Sequence, residues 1–236
     1  MQQLDKFYLC GGAVRDFLLN KPVKDNDFVV LVDSFDAMRE EILKNGGTIF
    51  IEKPEYLTIR GTLPNYGAAD FVLPRTDGEY SDHRRPDTTN IASDLYSDSC
   101  RRDATINAMY KNLATGEILD FHYGKDDLAR GIVRAVGKPE ERIKEDALRL
   151  LRYFRISITK NFKLDYDLAS CYVYSENTRL LQNVSAERIR EEIFKCFKHD
   201  MHKTLDLLKS DYYKYLYEEI FNDRTKIWLK PTMEEK

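Results

Sequence analysis

Apolar positions along the chain change their spacing several times, and each change marks an element. Phe7-Tyr8-Leu9 leads into Gly11-Gly12, after which Val14, Phe17 and Leu18 recur at helical spacing. Residues 28–32 form the longest apolar run and read as a buried strand. A helix is expected over residues 35–44, stopped by Gly46-Gly47. Residues 48–51, 56–61 and 68–73 read as three more strands, with Pro64-Asn65-Tyr66-Gly67 as the hairpin turn between the last two. Residues 75–99 are polar and turn-rich and read as one long loop. Short strand signals return at Met109-Tyr110 and over residues 117–120. Gly137-Lys138-Pro139 then marks a boundary, beyond which the pattern is helical almost throughout. Leu148, Leu151, Arg152 and Arg155 lie on one expected helix, and Ile189, Ile193, Cys196 and Phe197 stripe another. The pattern predicts an N-terminal mixed α and β domain, residues 1–136, and a helical domain, residues 137–236.

Composition narrows this picture only a little. The 236 residues are 42% hydrophobic and 33% charged, enough to bury a sizeable core. No apolar run approaches the length of a membrane span, and the first residues lack a secretory signal, so a cytoplasmic protein is expected with no membrane partner. Cys10, Cys100, Cys171 and Cys196 stand apart without a CxxC pair, which fits a reducing compartment. The formal charge of −3 gives no global sign of nucleic-acid binding; any such contact must come from local patches.

The candidate chemistry is acidic. Asp25-Asn26-Asp27 opens the run that begins at Phe28, and residues two apart on a strand face the same side, so both carboxylates can converge. Asp70 sits between apolar residues on another expected strand. Carboxylate oxygens without His or Cys suit Mg²⁺, which keeps waters and completes its shell from phosphate. Two such ions can activate a hydroxyl and stabilise a pyrophosphate leaving group. Taken alone, Asp-x-Asp at a strand entry is most often a turn or a solvated cap. Gly11-Gly12 shifts the balance, because glycines between a strand and a helix let backbone amides approach a triphosphate.

These features together resemble a known family. Residues 8–16, Tyr-Leu-Cys-Gly-Gly-Ala-Val-Arg-Asp, followed by Asp25-x-Asp27, are similar to the signature of class II CCA-adding enzymes and bacterial poly(A) polymerases, members of the polymerase β nucleotidyltransferase superfamily. The resemblance continues through residues 75–80, 84–87, 101–108, 145–152 and 185–188, in the family's order. It implies an α+β fold: a polymerase β-like head of mixed sheet and helices, then an all-helical neck and a short body. Asp25 and Asp27 would be metal ligands. Asp70 matches a third acidic position that more often carries Glu. Gly11, Gly12 and Arg15 would hold the triphosphate, and Arg102, Asp103 and Asn107 the ribose. Residues 75–99 resemble the flexible loop that helps the switch from CTP to ATP. Asp120 occupies the place of a hinge motif, although Phe121 stands where Pro is usual.

The stretch Glu145-Asp146-Ala147-Leu148-Arg149 offers a physical account of base choice. Read as one helix, it places Asp146 and Arg149 three apart on one face. The plain reading is a surface salt bridge, with Glu145 and Arg149 as another. The functional reading uses the fact that ionised Asp only accepts and Arg only donates hydrogen bonds. Cytosine and adenine each pair an exocyclic amino donor with a ring-nitrogen acceptor, so both fit. Guanine and uracil present the reverse and would leave the site's polar groups unpaired.

Arg152 and Arg155 are further candidate nucleotide contacts. With Lys160, Lys163, Arg188, Arg190, Lys195 and Lys198 they could track RNA phosphates, although solvated helix faces look the same. His199 and His202 have helical spacing for two ligands but no third, so zinc is not expected. Tyr212-Tyr213-Lys214-Tyr215 reads as core or interface rather than a base platform. The expected activity is template-independent addition of CMP and AMP, from CTP and ATP, to a tRNA 3′ end, with Mg²⁺. The alternatives are an A-only or CC-only enzyme, or a poly(A) polymerase, whose basic, His-containing segment is not found here. A nucleotidyltransferase acting on a protein or small molecule would not need the base reader, and a silent RNA-binding module would not need the carboxylates.

Overall fold

The computed structural model describes residues 3–23, 25–80, 86 and 88–227. The chain divides into two compact units, Met1–Glu79 with Pro86–Gly137, and Tyr80–Arg85 with Lys138–Lys236. The fold is α+β.

The first unit is built on a seven-stranded sheet. Its strands are β1 (Phe7–Cys10), β2 (Asn26–Val30), β3 (Thr48–Lys53), β4 (Thr58–Leu63), β5 (Gly67–Val72), β8 (Met109–Asn112) and β9 (Ile118–Asp120). They lie in the order β3-β4-β5-β2-β1-β8-β9, antiparallel throughout except for the parallel pair β2 and β5. Two helices follow strands directly or closely, α1 (Gly12–Leu18) and α2 (Phe35–Lys44), the latter capped by Ser34 Oγ accepting from the Ala37 amide. Strand alternation sorts the sheet into two faces. Leu9, Phe28, Phe71 and Ile59 are register neighbours on one face, all buried. Phe28 stacks on Phe71 with centroids 5.6 Å apart. On the other face Tyr8, Val29 and Val72 form an apolar row, closed over by Leu95.

Leu95 belongs to an element that the polarity of residues 75–99 conceals. That stretch is not a single loop: β6 (Arg75–Asp77) pairs with β7 (Thr89–Ile91), and α3 (Leu95–Cys100) follows, capped by Asp94 accepting from Ser97. α3 shows little apolar periodicity because one turn of it buries Asp98 and Ser99 instead of hydrophobic residues. The strand expected from residue 56 begins at Thr58; Tyr56 closes a 3₁₀ turn that starts at Pro54. Gly124, where α4 (Gly124–Arg130) starts, packs so closely that a Cβ would lie 2.3 Å from the Thr105 carbonyl oxygen.

The second unit is helical: α5 (Pro139–Glu145), α6 (Leu148–Lys160), α7 (Tyr166–Ser170), α8 (Ser175–Arg179), α9 (Ala186–His199), α10 (Met201–Leu208) and α11 (Lys214–Ile220). α6 buries Leu150, Leu151, Phe154 and Ile158, and α9 buries Ile189, Ile193 and Cys196. Arg155 Nε donates to Glu192 Oε2 at 2.5 Å, tying α6 to α9. Tyr213 is core: its ring lies 5.1 Å from those of both Phe154 and Tyr172. The chain breaks helix at Asp200, which ends α9 and caps α10, so His199 and His202 lie on successive helices rather than one face.

Candidate active site

Register brings the acidic residues together. Asp27 of β2 is paired with Asp70 of β5, and Asp70 with Arg60 of β4. Adjacent strands lie about 4.8 Å apart, so the row Asp27, Asp70, Arg60 runs across one sheet face. Arg60 Nη1 sits 3.4 Å from both Asp70 carboxylate oxygens. Asp25 lies in the bend just before β2, exposed. Asp27 and Asp70 open into a pocket of about 350 Å³, with Ile51, Lys53, Thr58, Arg60 and Val72 as its other walls. Loss of hydration at this position raises the Asp27 carboxyl above the ordinary carboxylate value. The neighbouring charges of Asp70 and Asp25 push the same way, and those of Arg102 and Arg60 oppose them.

At the end of β1 the chain turns at Gly11, with φ 66° and ψ −138°, a conformation open essentially to glycine alone. α1 has only seven residues, so its own dipole contributes less than the two guanidinium groups that gather at this turn. Arg15 Nη2 lies 3.1 Å from where a Cβ on Gly12 would be, and Arg102 Nη1 3.5 Å from where one on Gly11 would be. Arg15 Nη1 donates to Asn107 Oδ1 at 2.6 Å, and Asn107 Nδ2 to Asp103 Oδ1 at 3.1 Å. The expected ribose set is thereby divided. Asp103 and Asn107 join Arg15, whereas the Arg102 guanidinium turns to Asp98 and Tyr110. Asp103 and Asn107 meet without a helical turn between them: Ala104 is extended, and residues Thr105–Asn107 form a 3₁₀ turn.

In the second unit, the segment read as one helix through Asp146 is two. Asp146 is extended, at φ −140° and ψ 102°, between α5 and α6, and its Oδ1 accepts from the Leu148 amide at 3.1 Å. Burial raises the Asp146 carboxyl above its ordinary value. The charge of Arg149, the Leu148 amide, Arg152 and Arg188 oppose that rise, so three guanidinium groups surround one acid. Arg149 is itself buried, donating to Glu145 and to the Arg142 carbonyl at 3.0 Å. Arg155 is engaged by Glu192. Arg84 and Arg85 lie outside the described residues.

A family model described as the poly A polymerase head domain matches residues 7–134, more than half of the chain. The chain belongs to the class II CCA-adding nucleotidyltransferase family. It is 36% identical over 213 residues, 88% of its length, to the CCA-adding enzyme of Ligilactobacillus salivarius (strain UCC118). It also resembles the crystal structure of the Bacillus stearothermophilus CCA-adding enzyme in complex with CTP. There the identity is 29% and the TM-score 0.73, over 89% of this chain and 49% of that one. A tRNA nucleotidyltransferase complexed with a primer tRNA and an incoming ATP analog is similar at 30% identity and TM-score 0.71, over 92% of this chain and 59% of that one. The chain spans about half the length of the curated relatives it matches (50% of the first).

Enzymes of this nucleotidyltransferase family generally use a divalent metal. Among the described residues no three His, Cys, Asp or Glu side chains form a ready cage for one. The donor set nevertheless fits Mg²⁺, which takes one or two carboxylates and completes its shell from water and substrate phosphate. The register pair Asp27 and Asp70, two like charges side by side in the lining of one open pocket, is such a set. Among the described residues no helix is long and apolar enough to cross a membrane.

Three residues in contact with these groups escape a linear reading. Arg60 becomes visible only through the pairing of β4 with β5. Tyr110 reaches Asp98 through its hydroxyl at 2.6 Å. Asp98 stands three and four residues before Arg101 and Arg102, a spacing that signals a pair on one helix face.

Proposed function

We propose that the chain is the nucleotide-adding part of a cytoplasmic CCA-adding enzyme, transferring CMP and AMP from CTP and ATP to a tRNA 3′ end and releasing pyrophosphate. The observation that carries this reading is the register pair Asp27 and Asp70 on an open sheet face, beside the Gly11 turn and its two arginines. The relatives add their weight by what they are called and by the CTP, ATP analog and primer tRNA in their complexes.

In this reading the head is residues 1–136, and the neck and short body residues 137–236. Asp25 and Asp27 hold Mg²⁺, with Asp70 beside them. The metal would supply charge neutralisation for the attacking 3′ oxygen and the departing pyrophosphate. Gly11 and Gly12 let backbone amides approach the triphosphate, and Arg15 and Arg102 balance its charge. Asp103 and Asn107, locked to each other and to Arg15, meet the ribose hydroxyls. Asp146 accepts from the exocyclic amino group of cytosine or adenine while Arg149 donates to the ring nitrogen. Arg152, which lies close enough to Asp146 to influence its charge, is a further contact. Arg155 reaches a nucleotide only by releasing Glu192.

The test offers one labelled nucleotide at a time to three RNAs: tRNA lacking CCA, tRNA ending in CC, and an unstructured RNA. The expected outcome is CMP on the first, AMP on the second, and neither GMP nor UMP on any. AMP alone on every RNA marks a poly(A) polymerase, CMP alone a CC-adding enzyme, and no incorporation a binding module. Asp146→Ala and Arg149→Ala should each lose the bias against GTP and UTP while still transferring residual label, because the phosphate-holding residues are untouched.

A further inference from the structure

We infer that Asp98 is a positioning residue for nucleotide binding, holding the Arg102 guanidinium so that Nη1 faces the Gly11 turn. The inference rests on the proposed reading of that turn as the phosphate site. Asp98 is fully buried in α3. Its Oδ2 accepts from Arg102 Nε at 3.1 Å and Nη2 at 2.9 Å, a two-pronged grip on one edge of the guanidinium. The Tyr110 hydroxyl donates to the same oxygen at 2.6 Å and accepts from Arg102 Nε at 2.8 Å. The Tyr110 ring lies under the guanidinium, 4.8 Å from its central carbon.

Two of the three guanidinium nitrogens are thus fixed on the inner side, and the third is the one nearest Gly11. A planar group held along one edge and one face has no rotational freedom left. Its charge also reaches Asp27, so the same guanidinium that faces the glycine turn acts on the paired carboxylates. Asp98 uses its other oxygen on Arg101, at 3.0 and 2.7 Å, and on the Arg75 backbone amide at 3.1 Å. It therefore fixes Arg102 to the start of β6, at the root of the segment that follows Pro74. A buried ion pair is weak evidence of stabilisation. Orientation of a phosphate-facing cation before the ligand arrives is a better account of why α3 spends a buried position on an acid.

The test is a double-mutant cycle on CTP affinity in Mg²⁺, measured by calorimetry on the full chain, with thermal melting recorded for each variant. Asp98→Asn and Arg102→Ala should each weaken CTP by about ten- to a hundredfold. The double variant should bind no worse than Arg102→Ala alone, because Asp98 acts only through that side chain. Multiplicative losses, or a folded Asp98→Asn with wild-type affinity, overturn the inference. If Asp98→Asn does not fold, Tyr110→Phe serves: it removes one bond to Asp98 and one to Arg102, loosening the same clamp, and should weaken CTP several-fold, but not in the Arg102→Ala background. Wild-type affinity in Tyr110→Phe, or equal loss in both backgrounds, overturns it. Wild-type protein that binds no CTP removes the proposed function and this inference together. Normal binding with losses confined to Arg102→Ala removes the inference alone.

Discussion

Gly11 and Asp27 show how single residues set the site. At Gly11 the backbone takes φ 66° and ψ −138°, and a Cβ would meet only the Arg102 guanidinium, at 3.5 Å. The constraint is therefore backbone strain rather than space. Gly11→Ala is expected to cost about 1–3 kcal/mol of stability and to weaken nucleotide binding as the turn relaxes. Chemical denaturation and CTP titration of the variant check both; unchanged stability would mean that the turn tolerates a side chain. Arg15 is a candidate only through the family resemblance, whereas Gly11, Gly12, Asp25, Asp27 and Asp70 are legible in the sequence as candidates, because glycines at a strand end and acids beside apolar runs are local signals. Arg60 is not, since its place beside Asp70 depends on the register of β4 against β5. Asp98 lies in a stretch whose polarity resembles a loop, so no apolar spacing marks it. The three-residue spacing of Asp146 and Arg149 suggests one helix face, whereas Asp146 is extended rather than helical.

Most elements follow from periodicity, and the exceptions have physical causes. The helix Phe35–Lys44 and the strands β1, β2, β4 and β5 carry the stripe, apolar run or alternation that burial demands, whereas β3 is almost wholly exposed and follows from its β-branched and aromatic residues. The break between α5 and α6 carries no glycine or proline within it, so nothing in the local residues announces it. α3 is short and buries polar groups, which hides it from any search for apolar spacing.

The tie between α6 and α9 gives a prediction at this scale. Burial would raise Glu192, but the Arg155 charge and the bonds from Arg155 and Lys195 outweigh it and hold the carboxyl below its ordinary value. Glu192 is thus ionised further into acid in the folded chain than in the unfolded one. Its stabilisation is complete above the ordinary carboxylate value of 4.5 and fades as pH falls through the lower folded value. Glu192→Gln should lose about 1–3 kcal/mol at pH 7 and show a shallower decline in stability below that value. Denaturation curves at several pH values measure this. A variant with the wild-type acid profile would remove Glu192 as the cause.

For the molecule as a whole, the two units carry different parts of the proposed task. The first holds the carboxylates and the glycine turn, and the second holds Asp146, Arg149 and the basic helices. Divalent metal should matter to turnover and not to folding, because the described residues build no closed metal cage. Chelation should therefore stop nucleotide transfer while leaving the thermal melting temperature within about a degree, unlike a structural metal, whose loss unfolds its domain. A large drop in melting temperature on chelation would point to a structural ion instead. The central claim concerns Asp27, and its most direct test is transfer of labelled CMP to tRNA lacking CCA, in Mg²⁺, by wild-type protein and by Asp27→Ala of matched circular dichroism. Transfer by the wild type with none above background in the variant is the outcome expected. Transfer surviving in Asp27→Ala would contradict the assignment of this sheet face to catalysis.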